Sequence, residues 1–176
     1  MASETLPTLV VLEPHLNLLI DGTVVHSRVA PAGAGTVLAT DPFSGTNEDD
    51  CRNVQVVDAG AAAGDVVIRG YNYKGELITE TIPIAGGGTF IGNVAFAWIT
   101  EIDFPATGGG NIDVCLGSRI GLGNPIGRID TFIAKKNFLM MNSVLFTVSL
   151  VYNTIEETGV AVAALDTFTF AYQVPR

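Results

Sequence analysis

Charge is scarce in this 176-residue chain: Asp, Glu, Lys and Arg together make up 15%, against roughly a quarter in an average soluble domain. A surface short of charge must be covered with Ser, Thr, Asn and Gly, or be partly buried against another chain. Basic residues are scarcer still. Nine Lys and Arg stand against 18 Asp and Glu, a net charge of −9, and the one adjacent basic pair is Lys135-Lys136. Nucleic-acid binders gather Lys and Arg against phosphates, and anionic membrane surfaces recruit the same side chains. The composition therefore predicts no direct nucleic-acid or membrane partner. Cysteine occurs twice, at Cys51 and Cys115, too few for a disulfide scaffold and without zinc-ligand spacing. Both are expected to be reduced and structural. No stretch approaches 18 apolar residues, so no transmembrane helix is expected. The N-terminus carries Glu4 where a signal peptide needs a base, and the apolar run Leu9 to Leu12 is cut by Glu13 and Pro14, so synthesis in the cytoplasm is the expectation. Helical periodicity is nearly missing too. The best window, Thr158 to Leu165, is short, and Val160 and Val162 pull it toward strand.

What the chain does have is apolar material, at 48%, and a length at which roughly 70% of the extended surface can be buried in one domain. Its apolar residues alternate. Phe96, Trp98, Thr100, Ile102 and Phe104 share one parity while Glu101 and Asp103 take the other, and Ile112, Val114 and Leu116 alternate with Asn111, Asp113 and Cys115. This is the period of strands with one face toward a core. The same pattern returns from Val144 to Tyr152 and again from Phe168 to Val174. Residues 65–71 and 76–84, joined by Asn72-Tyr73-Lys74-Gly75, read as a hairpin, because Asn and Gly tolerate the positive φ of tight turns. Pro83 cannot donate to a ladder, which places its strand at an edge or ends it there. Gly86-Gly87-Gly88 and Gly108-Gly109-Gly110 fall between strands and read as flexible loop tips. The fold class is all-β: an antiparallel β-sandwich or β-barrel-like domain with long loops, an N-terminal arm and little helix. Residues 1–50 are expected to form an N-terminal strand, arm and long loop packed on the same domain or a neighbour. Residues 51–176 are expected to form the β domain, with one structural domain overall. The stretches 30–50 and 117–143 are broken by Gly and Pro and read as loop-like; length of that kind is usually functional or packed on a neighbour.

No catalytic constellation is assembled by the sequence. A Ser-His-Asp site would need His15 or His26 beside a nucleophile, and no Gly-x-Ser-x-Gly occurs. The acidic run Asn47-Glu48-Asp49-Asp50 lacks EF-hand spacing and reads as a solvated turn. Gly121-Leu-Gly123-Asn-Pro-Ile-Gly127 has the wrong spacing for a dinucleotide loop and carries Pro125 where N–H groups are needed. Glu101 and Asp103, about 7 Å apart on one strand face by the strand rise, have the separation of an inverting glycosidase pair. Alternating acids on an exposed face explain them as well. Tyr71 and Tyr73 flank a hairpin tip and are the aromatics expected to be exposed and to join an interface. The chain is expected to be no enzyme and to need no metal or cofactor.

Residues 53–123 resemble a pattern found in tailed-bacteriophage virion proteins. The pieces are Asp65-Val-Val-Ile-Arg-Gly70, Leu77-Ile-Thr-Glu-Thr-Ile82, Val94-Ala-Phe-Ala-Trp98 and Ile102-Asp-Phe-Pro105, followed by Asn111-Ile-Asp-Val-Cys-Leu-Gly117 and Arg119-Ile-Gly-Leu-Gly123. The resemblance covers about 40% of the chain, and the sequence departs from the pattern after Leu122. It implies a structural protein of the virion, most like a capsid decoration (cement) protein: a small β-rich homotrimer on the capsid exterior, bound to the major capsid protein across capsomer seams. The candidate interface residues on this reading are Tyr71, Tyr73, Phe43, Lys135 and Lys136. The alternative it leaves open is a phage tail or receptor- or glycan-binding module, with Tyr71 and Tyr73 stacking on sugars.

Overall fold

The computed structural model describes residues 9–18, 24–30, 32–38, 51–122, 128–136, 139–140, 146–152, 154–157 and 166–174. Side chains are described at 24–30, 32–38, 51–122, 147–152 and 154–156. The described residues contain strands and turns and no helix, and their antiparallel sheets make the fold all-β and sandwich- or barrel-like. The expected helix at Thr158 to Leu165, Phe43, the Asn47 to Asp50 run and the 123–127 loop lie outside the described residues.

Two sheets enclose the core. In the first, the order is β12 (Phe146–Ser149), β13 (Thr154–Glu157), β9 (Ile112–Gly121), β4 (Arg52–Asp58) and β7 (Gly88–Phe96). Strand β2 (Val24–Arg28) joins the same sheet by pairing with β9. One edge of β9 is thus shared: β2 covers Ile112 to Cys115 and β13 covers Arg119 to Gly121. In the second sheet the order is β3 (Gly35–Leu38), β8 (Trp98–Phe104), β5 (Ala63–Tyr71) and β6 (Leu77–Ala85). A further set pairs β1 (Leu9–Leu18), β14 (Asp166–Val174), β10 (Arg128–Lys136) and β11 (Leu139–Met140) in that order. The core between the first two sheets is a single cluster that includes Val54, Val56, Val66, Ile68, Ile82, Ile84, Phe96, Ile99, Ile102, Ile112, Val114 and Leu116. Each of those buried apolar side chains contributes about 1.5–3 kcal/mol of apolar transfer.

The β5–β6 hairpin forms as its sequence predicts. Nine pairs run in register from Ala63 with Ala85 to Tyr71 with Leu77. Asn72 closes the turn: its Oδ1 accepts from the Lys74 and Glu76 amides at 2.9 and 3.0 Å, and Gly75 takes φ 75°. Pro83 lies on β6, at the edge of its sheet.

Elsewhere the chain departs from simple alternation. The stretch 95–104 is two strands, because the chain crosses from one sheet to the other at Ala97, whose amide donates to the Tyr71 carbonyl at 2.8 Å. The crossing needs Gly70, since a β-carbon there would lie 1.9 Å from the Trp98 carbonyl oxygen. Register then slips between Arg69 and Gly70, so Ile99 rather than Thr100 enters the core, while Ile102 and Phe104 keep their expected inward parity. The strand expected from Val144 to Tyr152 ends at Ser149 and turns through Leu150 to Tyr152. Gly117 does not interrupt β9; its missing β-carbon makes room for the Asn53 side chain, which would otherwise lie 2.4 Å away.

Within the glycine clusters at the other end of the strands, Gly87, Gly108 and Gly110 are packed rather than loose, while Gly86 and Gly109 are open. A β-carbon at Gly60 would lie 2.4 Å from the Gly110 amide nitrogen, and one at Gly110 would lie 2.3 Å from that of Gly60. Asp58 ties this loop down by accepting from the Gly60 and Ala62 amides at 2.9 and 3.0 Å. The glycines serve close backbone approach here.

Candidate functional site

The β5–β6 turn and the β12–β13 turn face one another across a cleft of about 290 Å³. The first turn contributes Asn72, Tyr73, Lys74 and Glu76, and the second contributes Val151 and Tyr152. The floor is Cys51, Val94, Ala95, Gly121 and Leu122. It is closely built: the Gly121 amide donates to the Cys51 carbonyl at 2.8 Å, and a β-carbon at Gly121 would lie 2.5 Å from that of Ala95. The rim is open and mixes polar Asn72, Lys74 and Glu76 with exposed apolar and aromatic side chains. Val151 is 85% exposed and Leu77 69%, and Tyr71, Tyr73, Leu150 and Tyr152 are exposed beside them.

Tyr152 also lines a second, polar pocket of about 160 Å³ with Asn93, Arg119, Thr147, Ser149, Thr154 and Glu156. Its walls are cross-braced. Glu156 accepts from Arg119 Nε at 3.1 Å and from Ser118 Oγ at 2.6 Å, Arg119 donates to the Asn93 side chain, and the Arg119 amide donates to Asn53 Oδ1 at 2.8 Å. Asn53, fully buried, also donates to the Gly92 carbonyl at 2.7 Å. The neighbouring Arg52 guanidinium, equally buried, donates to the Gly117 carbonyl.

Of the sequence-predicted interface residues, Tyr71 and Tyr73 stand together on the β5–β6 turn, and Tyr73 lines the cleft. Lys135 and Lys136 lie on β10, their backbones paired with Met140 and Leu139 on one side and Thr169 and Phe168 on the other. Their side chains, like Phe43, fall outside the described ones. Val151 and Tyr152 escape sequence reasoning because the alternation of residues 144–152 reads as continuous strand. The polar pocket escapes it because Asn53, Asn93, Arg119 and Glu156 come from four separate strands.

The carboxylate pair is occupied. Arg69 bridges Glu101 and Asp103, meeting Asp103 at 2.6 Å, and Thr36 donates to Asp103 at 2.5 Å. The Thr36 hydroxyl and the Arg69 guanidinium hold the Asp103 carboxyl below its ordinary pKa. Two acids bridged by a guanidinium have no room for the water that an inverting pair activates. Ser27 donates to Asp113, while the adjacent His26 ring packs tilted against Phe104 of the core, centroids 5.7 Å apart. Burial, with help from Arg28, lowers the His26 pKa. Both cysteines are buried, and burial, then the Asp113 charge, raise the Cys115 pKa, which favours the protonated thiol. Among the described residues no three His, Cys, Asp or Glu side chains converge as metal ligands, and no helix is long and apolar enough to cross a membrane.

Comparison with protein-family models, with curated proteins and with solved structures finds no match to this chain.

Proposed function

We propose that the chain is a non-enzymatic structural protein of a tailed-bacteriophage virion, a decoration protein that binds the outside of the capsid and stabilises it across capsomer seams. The observation that carries this reading is the apolar end of the molecule, where two neighbouring hairpin turns expose Tyr71, Tyr73, Leu77, Leu150, Val151 and Tyr152. Aromatic and aliphatic anchors on adjoining tips are what the centre of a protein interface is made of. The sequence pattern of residues 53–123 and the scarcity of charge point the same way. Binding the assembled shell and not its free subunits shifts the equilibrium toward the shell, and many copies on a lattice add avidity. The major capsid protein is the partner on this reading, and a homotrimer the working state.

The solution mass tests the second part. Light scattering should give about 55 kDa, three times the 18.4 kDa chain; a mass of one chain under all conditions would remove the trimer. A second reading, a tail module that binds glycans, draws on the two tyrosines, Tyr73 and Tyr152, that line one cleft. Alanine at Tyr71 and Tyr73 separates the two: loss of capsid binding supports decoration, whereas loss of cell or glycan binding supports the tail module.

A further inference from the structure

Strand β6 alternates so that Ile78, Glu80, Ile82 and Ile84 point inward and Leu77, Thr79, Thr81 and Pro83 outward. Glu80 is thus a carboxyl group in a core position, 9% exposed. Its partner is a bulge. Strand β7 pairs with β4 at Asn53 with Ala95 and at Gln55 with Ile91, so Gly92, Asn93 and Val94 stand against the single residue Val54. The bulge frees two amides from the ladder, and Glu80 Oε1 accepts both, from Asn93 at 2.5 Å and from Val94 at 3.2 Å. Glu80 Oε2 is buried with no hydrogen-bond partner. It lies over Gly92: a β-carbon there would be 2.5 Å from Oε2 and 2.9 Å from the Val54 carbonyl oxygen.

These positions favour a proton. An ionised carboxylate leaves one oxygen buried and unpaired, which is costly. A proton on Oε2 removes the charge, while Oε1 keeps its two amides. Burial raises the Glu80 pKa, outweighing the two amides and the Arg119 charge, which act to lower it. The surrounding groups are known from each element: β7 presents the two amides and Asn93, and β4 presents the Val54 carbonyl, Asn53 and Arg52, whose guanidinium donates to Gly117. From β9 comes Arg119, held by Glu156 of β13, while Arg69 of β5 is engaged by Glu101 and Asp103.

We propose that Glu80 is a proton-operated latch on the β7 bulge: holding a proton, it clamps β6 to β7 and fixes the shared floor of the two pockets; losing it, it releases that floor. The link to the site is direct, because Val94 and Ala95 line the apolar cleft while Asn93 lines the polar pocket and accepts from Arg119. The consequence for capsid binding rests on the reading proposed above. The latch itself does not, so its test is made on the isolated full chain.

Two measurements on the wild type and one on Glu80→Gln decide it. Carbon-13 NMR should show the Glu80 carboxyl titrating above the ordinary carboxylate range; a midpoint at or below that range overturns the latch. Amide exchange at Asn93 and Val94, expressed as protection factors, should weaken by up to about tenfold per pH unit from the ordinary carboxylate range up to that midpoint and level off above it. Protection independent of pH overturns it. Glu80→Gln keeps an acceptor and a donor without charge, so its melting temperature should stay level where that of the wild type falls by several degrees on raising the pH. Parallel melting profiles for the two proteins would also overturn the latch.

Discussion

The two ends of the β5–β6 hairpin, about 26 Å apart by the strand rise, solve opposite problems. At the end where β5 begins, the loops press backbone on backbone at Gly60, Gly87, Gly108 and Gly110, and side chains are excluded at those positions because nothing larger than hydrogen fits. At the end where β5 finishes, the turns carry Tyr71, Tyr73, Val151 and Tyr152 outward, beyond what the fold needs to bury. The first end closes the sandwich on itself, and the second leaves apolar surface unused. The difference teaches where to look for a partner. Val24, Val29, Leu38 and Ile91 are exposed elsewhere, but six of the exposed hydrophobics gather on the two adjoining turns, and that patch is where we propose a partner binds.

Substitutions sharpen this contrast. The largest effect should come from the closed end: Gly110→Ala places a methyl group into the Gly60 backbone, and a loss on the order of 3 kcal/mol or more is expected in chemical denaturation. A change under 1 kcal/mol would show that the loops part easily. In the core joining the two ends, Ile68→Ala should cost about 2–5 kcal/mol for the cavity left behind. Asp58→Ala, which strips the Gly60 and Ala62 amides of their acceptor, should cost about 1–3 kcal/mol. At the open end the expectation reverses. Val151→Asp or Tyr152→Ala should move stability by no more than about 1 kcal/mol while weakening capsid binding at least tenfold, read by co-sedimentation.

The smallest effects are those of pH, and they oppose one another. The Asp103 pKa is lowered in the fold, so its contribution is present above the ordinary carboxylate range and fades as the pH falls through the folded value. The Glu80 pKa is raised, so its contribution is present below that range and fades as the pH rises through the folded value. Arg69→Ala should flatten the acid limb of the melting profile and leave the alkaline limb as it is. Asp103 is well solvated, so the acid limb should be shallow.

Much of the fold was legible because period-two alternation and turn chemistry are local. The β5–β6 hairpin, the inward Ile112, Val114 and Leu116 of β9 and the edge position of Pro83 could all be read from short windows. The failures arose where the structure is decided at long range. Ala97 looks like mid-strand from its neighbours, and only the approach of Gly70 to Trp98 makes it a crossing. Gly108 to Gly110 looks like free loop until the Gly60 loop is set against it. For the site, Tyr71 and Tyr73 were legible from their turn, whereas Val151 and Tyr152 were hidden by an alternation that a turn interrupts. Glu80 left a signal that alternation alone reveals: it shares the parity of Ile78, Ile82 and Ile84, so a carboxylate on the core side was there to be read.

The central claim is that the open end grips a capsid. Wild-type protein and Val151→Asp, each first shown to be folded, should be titrated onto emptied, expanded tailed-phage capsids, the partner proposed above, and bound protein measured by co-sedimentation. Saturation by the wild type at a fixed ratio per capsomer, with Val151→Asp bound at least tenfold more weakly, is the predicted result. Equal binding of the two proteins, or no binding of the wild type at any concentration, would contradict it.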